Sequence, residues 1–106
     1  RDLQCWILEN LADDLSVDRL AERVAMSPRN FTRVFTRETG ISPAKFVEEG
    51  RLHTARQRLE QSTEGIEQIA LATGFGNGLN LRRVFERKLQ LTPSEYRERF
   101  HARNLA

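Results

Sequence analysis

Four polar side chains with hydrogen-bonding chemistry recur at helical spacing in the first half of the sequence. They are Arg29, Thr32, Arg33 and Thr36. The spacing i, i+3, i+4, i+7 places all four on one face of an α-helix. Arginine donates paired hydrogen bonds to guanine and threonine can bond several base edges, in a major groove about 12 Å wide. This face therefore predicts a helix that contacts DNA bases. For Thr36, a base contact and a solvent-exposed position without a binding role are equally well supported.

A related face, made of Leu79, Arg82, Arg83 and Glu86, follows about fifty residues later. Arg82 and Arg83 offer the same chemistry as the first pair of arginines. Leu79 either contacts a thymine methyl group or packs on its own turn, and the sequence leaves both open. Glu86 is expected to orient a neighbouring arginine or to repel a phosphate rather than to bond cytosine.

Basic residues one helical turn beyond each face predict contacts with the DNA backbone. Arg37 follows the first face and Arg87 follows the second. Such contacts position a protein on the duplex without reading its sequence. The helix starts at Ser27 and at Asn77-Gly78 are also expected to offer free backbone N–H groups to a phosphate.

Both faces belong to one internal repeat. Arg33-Val34-Phe35 matches Arg83-Val84-Phe85 at an offset of 50 residues. Upstream, Leu20-Ala21 matches Ile69-Ala70 at an offset of 49, so the turn of the second copy holds one additional residue. Each copy has the outline of a helix-turn-helix, in which a small alanine lets two helices approach across a short turn. An isolated arginine usually lies on a solvated helix face, but the repetition favours a binding role.

The elements that must position these faces are predicted to be helices throughout, because apolar residues recur at helical spacing and no alternating β-branched run is present. Ser16, Ser27, Ser42 and Thr92 are typical N-cap residues, and proline follows the last three. Thr92 and Glu95 complete a capping box. The all-α chain is predicted to have seven helices, near residues 2–13, 17–25, 28–39, 43–61, 64–73, 78–89 and 93–100.

The fourth helix is predicted to link two subdomains, since its apolar positions drift around the helix, as they would if each end packed on a different lobe. We expect a first helix-turn-helix subdomain over residues 1–42, a linker helix over 43–61 and a second subdomain over 62–106. Nineteen helical residues span about 28 Å, close to the ~34 Å between successive major grooves on one face of DNA. One chain is thus expected to read an asymmetric site.

Composition excludes several other classes of protein. The 106 residues carry a net charge of +2. The positive charge lies in two segments, +2 over residues 27–40 and +3 over residues 76–90, and residues 1–26 carry −3. No apolar run approaches the roughly 18 residues of a membrane span. Cys5 is the single cysteine, so no internal disulfide can form and an intracellular, cytoplasmic location is expected. His53 and His101 lack partners at metal-ligand spacing, and no catalytic constellation is present, so we expect no metal, no cofactor and no enzymatic activity.

The sequence resembles the DNA-binding domain of AraC/XylS-type transcriptional regulators over residues 3–100. The motifs that carry the resemblance are "LAERVAMSPRNFTRVFTRETGISPAKF", "RLHTARQRL" and "IALATGFGNGLNLRRVFERKLQLTPSEYRERF". It implies two helix-turn-helix subdomains joined by a long helix, with double-stranded DNA as the partner. By the same resemblance, base contacts fall on Arg29, Thr32, Arg33, Gly78, Leu79, Arg82 and Arg83.

The sequence departs from the family pattern at two positions. Gly78 has no side chain with which to read a base, so the second copy is expected to read fewer positions. Gln90 stands where the first copy has Gly40, and a left-handed cap costs a non-glycine residue roughly 1 to 2 kcal/mol. We therefore expect the helix before Gln90 to end differently from the helix before Gly40.

Further partners follow from the resemblance alone. It implies RNA polymerase as a partner and an N-terminal effector or dimerisation domain that this chain lacks. The chain begins at Arg1 rather than Met, which is expected of a fragment of a longer protein. The second copy looks most like a branch whose N-terminal domain is amidotransferase-like. The alternative is a helical protein-interaction module whose basic faces serve solubility. Steep salt dependence of duplex binding separates the two, because each neutralised phosphate adds about 0.9 to the log-log slope.

Overall fold

The computed structural model describes residues 2–101 and shows that part of the chain as α-helical, without strands. The predicted all-α class is therefore confirmed. The predicted subdomain bounds also take in residue 1 and residues 102–106, which lie outside the described residues. Within residues 2–101 the seven helices are α1 Asp2–Glu9, α2 Val17–Arg23, α3 Pro28–Thr39, α4 Pro43–Gln61, α5 Ile66–Ala72, α6 Gly78–Leu89 and α7 Pro93–Phe100.

The predicted helix starts are confirmed by their capping hydrogen bonds. Each of four hydroxyl oxygens accepts the backbone N–H three residues later, at 3.1 to 3.3 Å. An N-cap of this kind stabilises a helix by about 1 kcal/mol. The pairs are Ser16 with Arg19, Ser27 with Asn30, Ser42 with Lys45 and Thr92 with Glu95.

The predicted end of the first helix, near residue 13, is wrong, since α1 ends at Glu9. The Asn10 side-chain amide donates to the Trp6 carbonyl at 2.8 Å, and the Asn10 backbone N–H donates to the Ile7 carbonyl at 3.0 Å. The Asn10 side chain thus occupies the Trp6 carbonyl, which would accept the Asn10 backbone N–H if the helix continued. Asparagine commonly competes with helical hydrogen bonding in this way.

The chain divides into two compact units, Arg1–Gly50 and Arg51–Ala106, and the division falls inside α4. Each unit has its own apolar core. The predicted split of α4 is confirmed, since Val47 belongs to the first core whereas Ala55 and Leu59 belong to the second. The buried residues of the first core are Ile7, Leu11, Leu15, Leu20, Ala21, Phe31, Phe35 and Val47. Those of the second are Ala55, Leu59, Ile69, Ala70, Leu81, Phe85 and Tyr96.

Gly50 is the weakest helix former inside α4, and the first unit explains its presence. A Cβ added at this position would lie 2.8 Å from Cδ2 of Leu8 on α1. Glycine costs a helix interior about 1 kcal/mol relative to alanine, and here it leaves room for the Leu8 side chain.

In the second unit, one arginine of α7 forms hydrogen bonds with the C-terminal end of α4. The Arg97 guanidinium donates to the carbonyl oxygens of Leu59, Ser62 and Glu64 at 3.2, 3.1 and 2.6 Å. These carbonyls lie at and just beyond the C-terminus of α4, where backbone acceptors lack helical partners and a cation is favoured. Arg97 therefore fixes the helix that closes the second core.

Tyr96 forms a second connection between α7 and α4. Its hydroxyl donates to the Glu60 carboxylate and accepts a bond from Arg56 Nε at 3.1 Å. Burial, with the bond to Glu60, raises the pKa of the Tyr96 hydroxyl above its ordinary value. The ring packs edge-on against Phe85 with centroids 5.6 Å apart. Tyr96 therefore contributes its ring to the apolar core and its hydroxyl to the hydrogen bonds with α4.

Candidate nucleic-acid interface

The first helix-turn-helix is formed by α2, residues 24–27 and α3. The buried Ala21 lies on the face of α2 that packs in the first core. The turn reverses through Ala25, whose φ of 57° is left-handed, and the Met26 N–H donates back to the Ala21 carbonyl at 3.0 Å. Phe31 and Phe35 bury the inner face of α3, with ring centroids 5.6 Å apart. The opposite face of α3 is consequently directed to solvent.

That outer face of α3 carries the side chains predicted from the sequence. Arg29, Arg33, Thr36 and Arg37 are exposed, and Thr32 is half-buried. The Arg33 guanidinium donates to the side-chain oxygen of Asn30, one turn earlier on the helix. This bond holds one arginine along the helix surface while the charge stays accessible.

The second helix-turn-helix is formed by α5, residues 73–77 and α6, and its turn repeats the first with one more residue. The Phe75 N–H donates to the Ala70 carbonyl at 2.9 Å, as the Met26 N–H does to Ala21. Gly74 and Gly76 have φ of 90° and 89°. The predicted insertion in the second turn is confirmed, and left-handed glycines accommodate it.

The outer face of α6 is also exposed, and Leu81 and Phe85 bury the inner face. Leu79 is 56% exposed, so more than half of its surface is open to solvent. Arg82 Nε lies 3.5 Å from a carboxylate oxygen of Glu86, which agrees with the expectation that Glu86 orients an arginine. The further predicted residues Asn77, Arg83 and Arg87 are exposed as well.

Gly78 is the one predicted site residue that the fold buries. Its N–H donates to Oε1 of Glu67 on α5 at 3.0 Å, and the Asn80 N–H donates to Oδ1 of Asn77 at 2.8 Å. The prediction that this helix start offers its first N–H groups to a phosphate is therefore wrong for Gly78 and Asn80. The same holds for the Asn30 N–H of α3, which is bonded to Ser27.

Glu67 lies beside the outer face of α6 and was not among the residues predicted from the sequence. It lies eleven positions before Gly78, on the helix that does not carry the predicted reading face. The available signal was the unusual glycine at the start of α6, because a residue without Cβ leaves room for another group. A single sequence cannot say which group fills that room.

The end of α6 differs from its prediction. Gln90 adopts the left-handed conformation, with φ 57° and ψ 27°, as Gly40 does with φ 85° after α3. The expected change of helix end is therefore wrong. The Gln90 backbone N–H bonds the Glu86 carbonyl at 3.2 Å and its side-chain amide bonds the Arg87 carbonyl at 3.3 Å. These bonds satisfy terminal carbonyls and offset the conformational cost.

Three other features bear on what the described residues can bind. Among residues 2–101, no three His, Cys, Asp or Glu side chains are grouped so as to hold a metal ion. No helix in that range combines the length and apolar character needed to cross a membrane. Cys5 is exposed as a free thiol.

The sequence is similar to known regulators across the repeat. A family model described as a helix-turn-helix domain matches residues 20–99. Over 84 residues the chain is 43% identical to an HTH-type transcriptional regulator of Mycobacterium tuberculosis, covering 79% of this chain and 32% of that protein. The chain thus spans about a third of the length of that relative.

Two solved structures resemble the fold at identities high enough to compare sites. One is the DNA-binding domain of AdpA, a global transcriptional factor, in complex with a target DNA. It has a TM-score of 0.90 at 34% identity and covers 98% of this chain and 94% of that chain. The other, a Chromobacterium violaceum regulator with an AraC-type DNA-binding domain, has a TM-score of 0.80 at 33% identity, covering 94% and 89%. Both alignments take in the two helix-turn-helix copies.

Proposed function

Because the chain belongs to the AraC-type family of helix-turn-helix proteins, we propose that it is a sequence-specific double-stranded DNA-binding domain of a transcription regulator. The observation that carries the proposal is the pair of exposed basic faces, on α3 and on α6, each placed by a turn with the same backbone hydrogen bond. The AdpA domain, in complex with its target DNA, has the same fold.

On α3, the arginines and threonines of the outer face read base edges in the major groove. Arg29 and Arg33 each offer the forked donors that match guanine, and Thr32 and Thr36 bond neighbouring edges. Arg37 binds a phosphate and fixes the register of α3 on the duplex. The exposure of this face in a folded unit supports these roles.

On α6, the chemistry of the outer face is different. Leu79 contacts a thymine methyl group, a role that its exposed side chain supports. Arg82 and Arg83 bond base edges, and Arg87 and Asn77 contact the backbone. Gly78 offers no side chain to a base, and its N–H is bonded to Glu67.

The bound site is asymmetric, with α3 and α6 reading two different short sequences in successive major-groove segments. The matched positions differ in chemistry, since Arg29 corresponds to Leu79 and Thr32 corresponds to Arg82. Faces with different donors are expected to prefer different bases. One chain can therefore recognise its site without the two-fold symmetry of a dimer.

The domain acts within a longer cytoplasmic protein whose N-terminal part binds an effector or dimerises. Its relative in Mycobacterium tuberculosis is about three times the length of the matched segment, which supports a further domain. RNA polymerase is the second macromolecular partner, in keeping with transcription regulation. The domain itself has no enzymatic role in this proposal.

Selection of duplexes from a random library, at near-physiological salt and with this domain alone, tests the proposal. We expect enrichment of two unlike short motifs about one helical turn, roughly 34 Å, apart. Binding should weaken steeply with salt, by about 0.9 log units per log unit for each phosphate contacted. Enrichment of a perfect palindrome would refute the asymmetric site. Absence of any enrichment would favour the protein-interaction module instead.

A further inference from the structure

We propose that Glu67, which lies on α5 outside the recognition helix, is a specificity-determining residue that selects cytosine or adenine at one position read by the second copy. The inference rests on the proposed DNA-binding function. It concerns the space left at the start of α6 by Gly78, where the family resemblance would place a base-reading side chain.

The Glu67 carboxylate is held at the beginning of α6 by the backbone. Oε1 accepts the Gly78 N–H at 3.0 Å. A Cβ on residue 78 would overlap Oε2 of Glu67, so this arrangement requires glycine at that position. Gly78 is buried, whereas Glu67 is exposed. The carboxylate thus covers the glycine and occupies the place of the missing side chain.

The chemistry of a fixed carboxylate makes it selective. An ionised carboxylate accepts hydrogen bonds and donates none. In the major groove, cytosine and adenine present amino donors, whereas guanine and thymine present oxygen acceptors that a carboxylate repels. A base facing Oε2 is therefore expected to be cytosine or adenine.

The carboxylate shares a cleft with side chains already assigned to base contacts. Glu67, Gly78, Leu79 and Arg82 line a 470 Å³ depression beside the first turn of α6, together with the start of α7 at Ser94. Leu79 and Arg82 are exposed at this place. A base pair that reaches them also lies next to the Glu67 carboxylate.

The first copy provides an internal contrast. At the offset of 49 residues, Asp18 on α2 corresponds to Glu67, and at the offset of 50, Pro28 corresponds to Gly78. Proline has no N–H, and aspartate is one methylene shorter than glutamate, so the same anchoring cannot form at the start of α3. The inference accordingly applies to the second copy alone.

Duplex selection with three variants of the domain tests the inference. Glu67→Gln keeps an acceptor for the Gly78 N–H but adds amide donors, so the preference at one position of the second motif should move from cytosine or adenine toward guanine or thymine. Gly78→Ala keeps the negative charge and displaces the carboxylate, so the same preference should be lost. Each change is expected to be roughly tenfold in relative affinity at that position. Asp18→Asn, the matched control in the first copy, should leave it unchanged.

The possible outcomes separate this inference from the proposed function. If the unaltered domain selects two motifs and Glu67→Gln selects the same two, with affinity changed equally for all sequences, Glu67 is only a helix cap and the inference is wrong. Gly78→Ala is an independent test of the carboxylate position. The variant is expected to fold, because residue 78 has no left-handed φ and alanine suits the first turn of a helix. If the unaltered domain selects no sequence, both the proposed function and this inference are refuted.

Discussion

The two helix-turn-helix copies share their scaffold and differ at the surface where the second helix begins. In both, an alanine carbonyl on the first helix accepts an N–H from the turn, at 3.0 Å in the first copy and 2.9 Å in the second. The first copy then starts its outer helix with Pro28, whereas the second starts with Gly78 beneath Glu67. Core packing and turn hydrogen bonds maintain the motif, so the outer residues are able to diverge without loss of the fold.

The largest expected effect is the loss of stability when one core phenylalanine is removed from either unit. Phe85 is fully buried, and Phe35, its counterpart in the first unit, is 5% exposed. Phe85→Ala and Phe35→Ala should each lower the free energy of unfolding of their own unit by about 3 to 5 kcal/mol, because each leaves a cavity. Denaturant titration with amide hydrogen exchange, read separately for each unit, measures both. A loss below about 1 kcal/mol in either would contradict its central place in that core.

Removing one arginine from each outer face tests whether both copies read DNA. Arg33→Ala and Arg83→Ala should each cost roughly 1 to 3 kcal/mol of binding free energy and relax the preference in one motif only. Titration against the selected duplex, and against duplexes altered in one motif, gives both quantities. Arg19→Ala on α2 removes the same charge from a side chain that is 66% exposed and paired with Asp14, and serves as the control. Unchanged binding by both recognition-helix variants would overturn the assignment of the two faces.

A smaller effect on stability is expected from exchanging the residues that end α3 and α6. Gly40 and Gln90 both have left-handed backbones, so Gly40→Gln should destabilise the first unit by about 1 kcal/mol and Gln90→Gly should stabilise the second by less. The second gain is smaller because glycine also loses the side-chain bond to Arg87 and is more flexible when unfolded. Thermal unfolding of the two variants checks the signs. Stabilisation by Gly40→Gln would show that left-handed strain is not what distinguishes the two ends.

The smallest expected effect is a pH dependence confined to the second unit. Burial raises the pKa of Tyr96 above 10.0, so the folded state retains a proton that the unfolded state releases. The resulting stability is complete below pH 10 and is lost as pH rises through the folded pKa. Tyr96 is the single tyrosine, so its ultraviolet titration reports the pKa directly. Tyr96→Phe should remove this part of the alkaline loss, and an identical alkaline profile in the variant would contradict it.

Much of the fold was predictable because it depends on local rules. The repeat, the four hydroxyl N-caps, the split of α4 between two cores and the extra residue in the second turn are all confirmed. The N-caps and the apolar spacing of each helix depend on residues a few positions apart, and the repeat follows from finding the same spacing twice. The end of α1 was not predictable in this way, because Asn10 is compatible with helix until its amide bonds the Trp6 carbonyl.

By itself, the sequence determined that the chain is helical, that it contains two related motifs and which face of the second helix in each motif is apolar. Tertiary structure alone decided the surroundings of the outer residues. It buried Gly78 beneath Glu67, left Leu79 in solvent and allowed Gln90 a left-handed backbone. The physical reason is that these features arise where different helices or the ends of a helix meet, and the energy of such contacts depends on groups that are distant along the chain or on bonds that only the folded backbone offers.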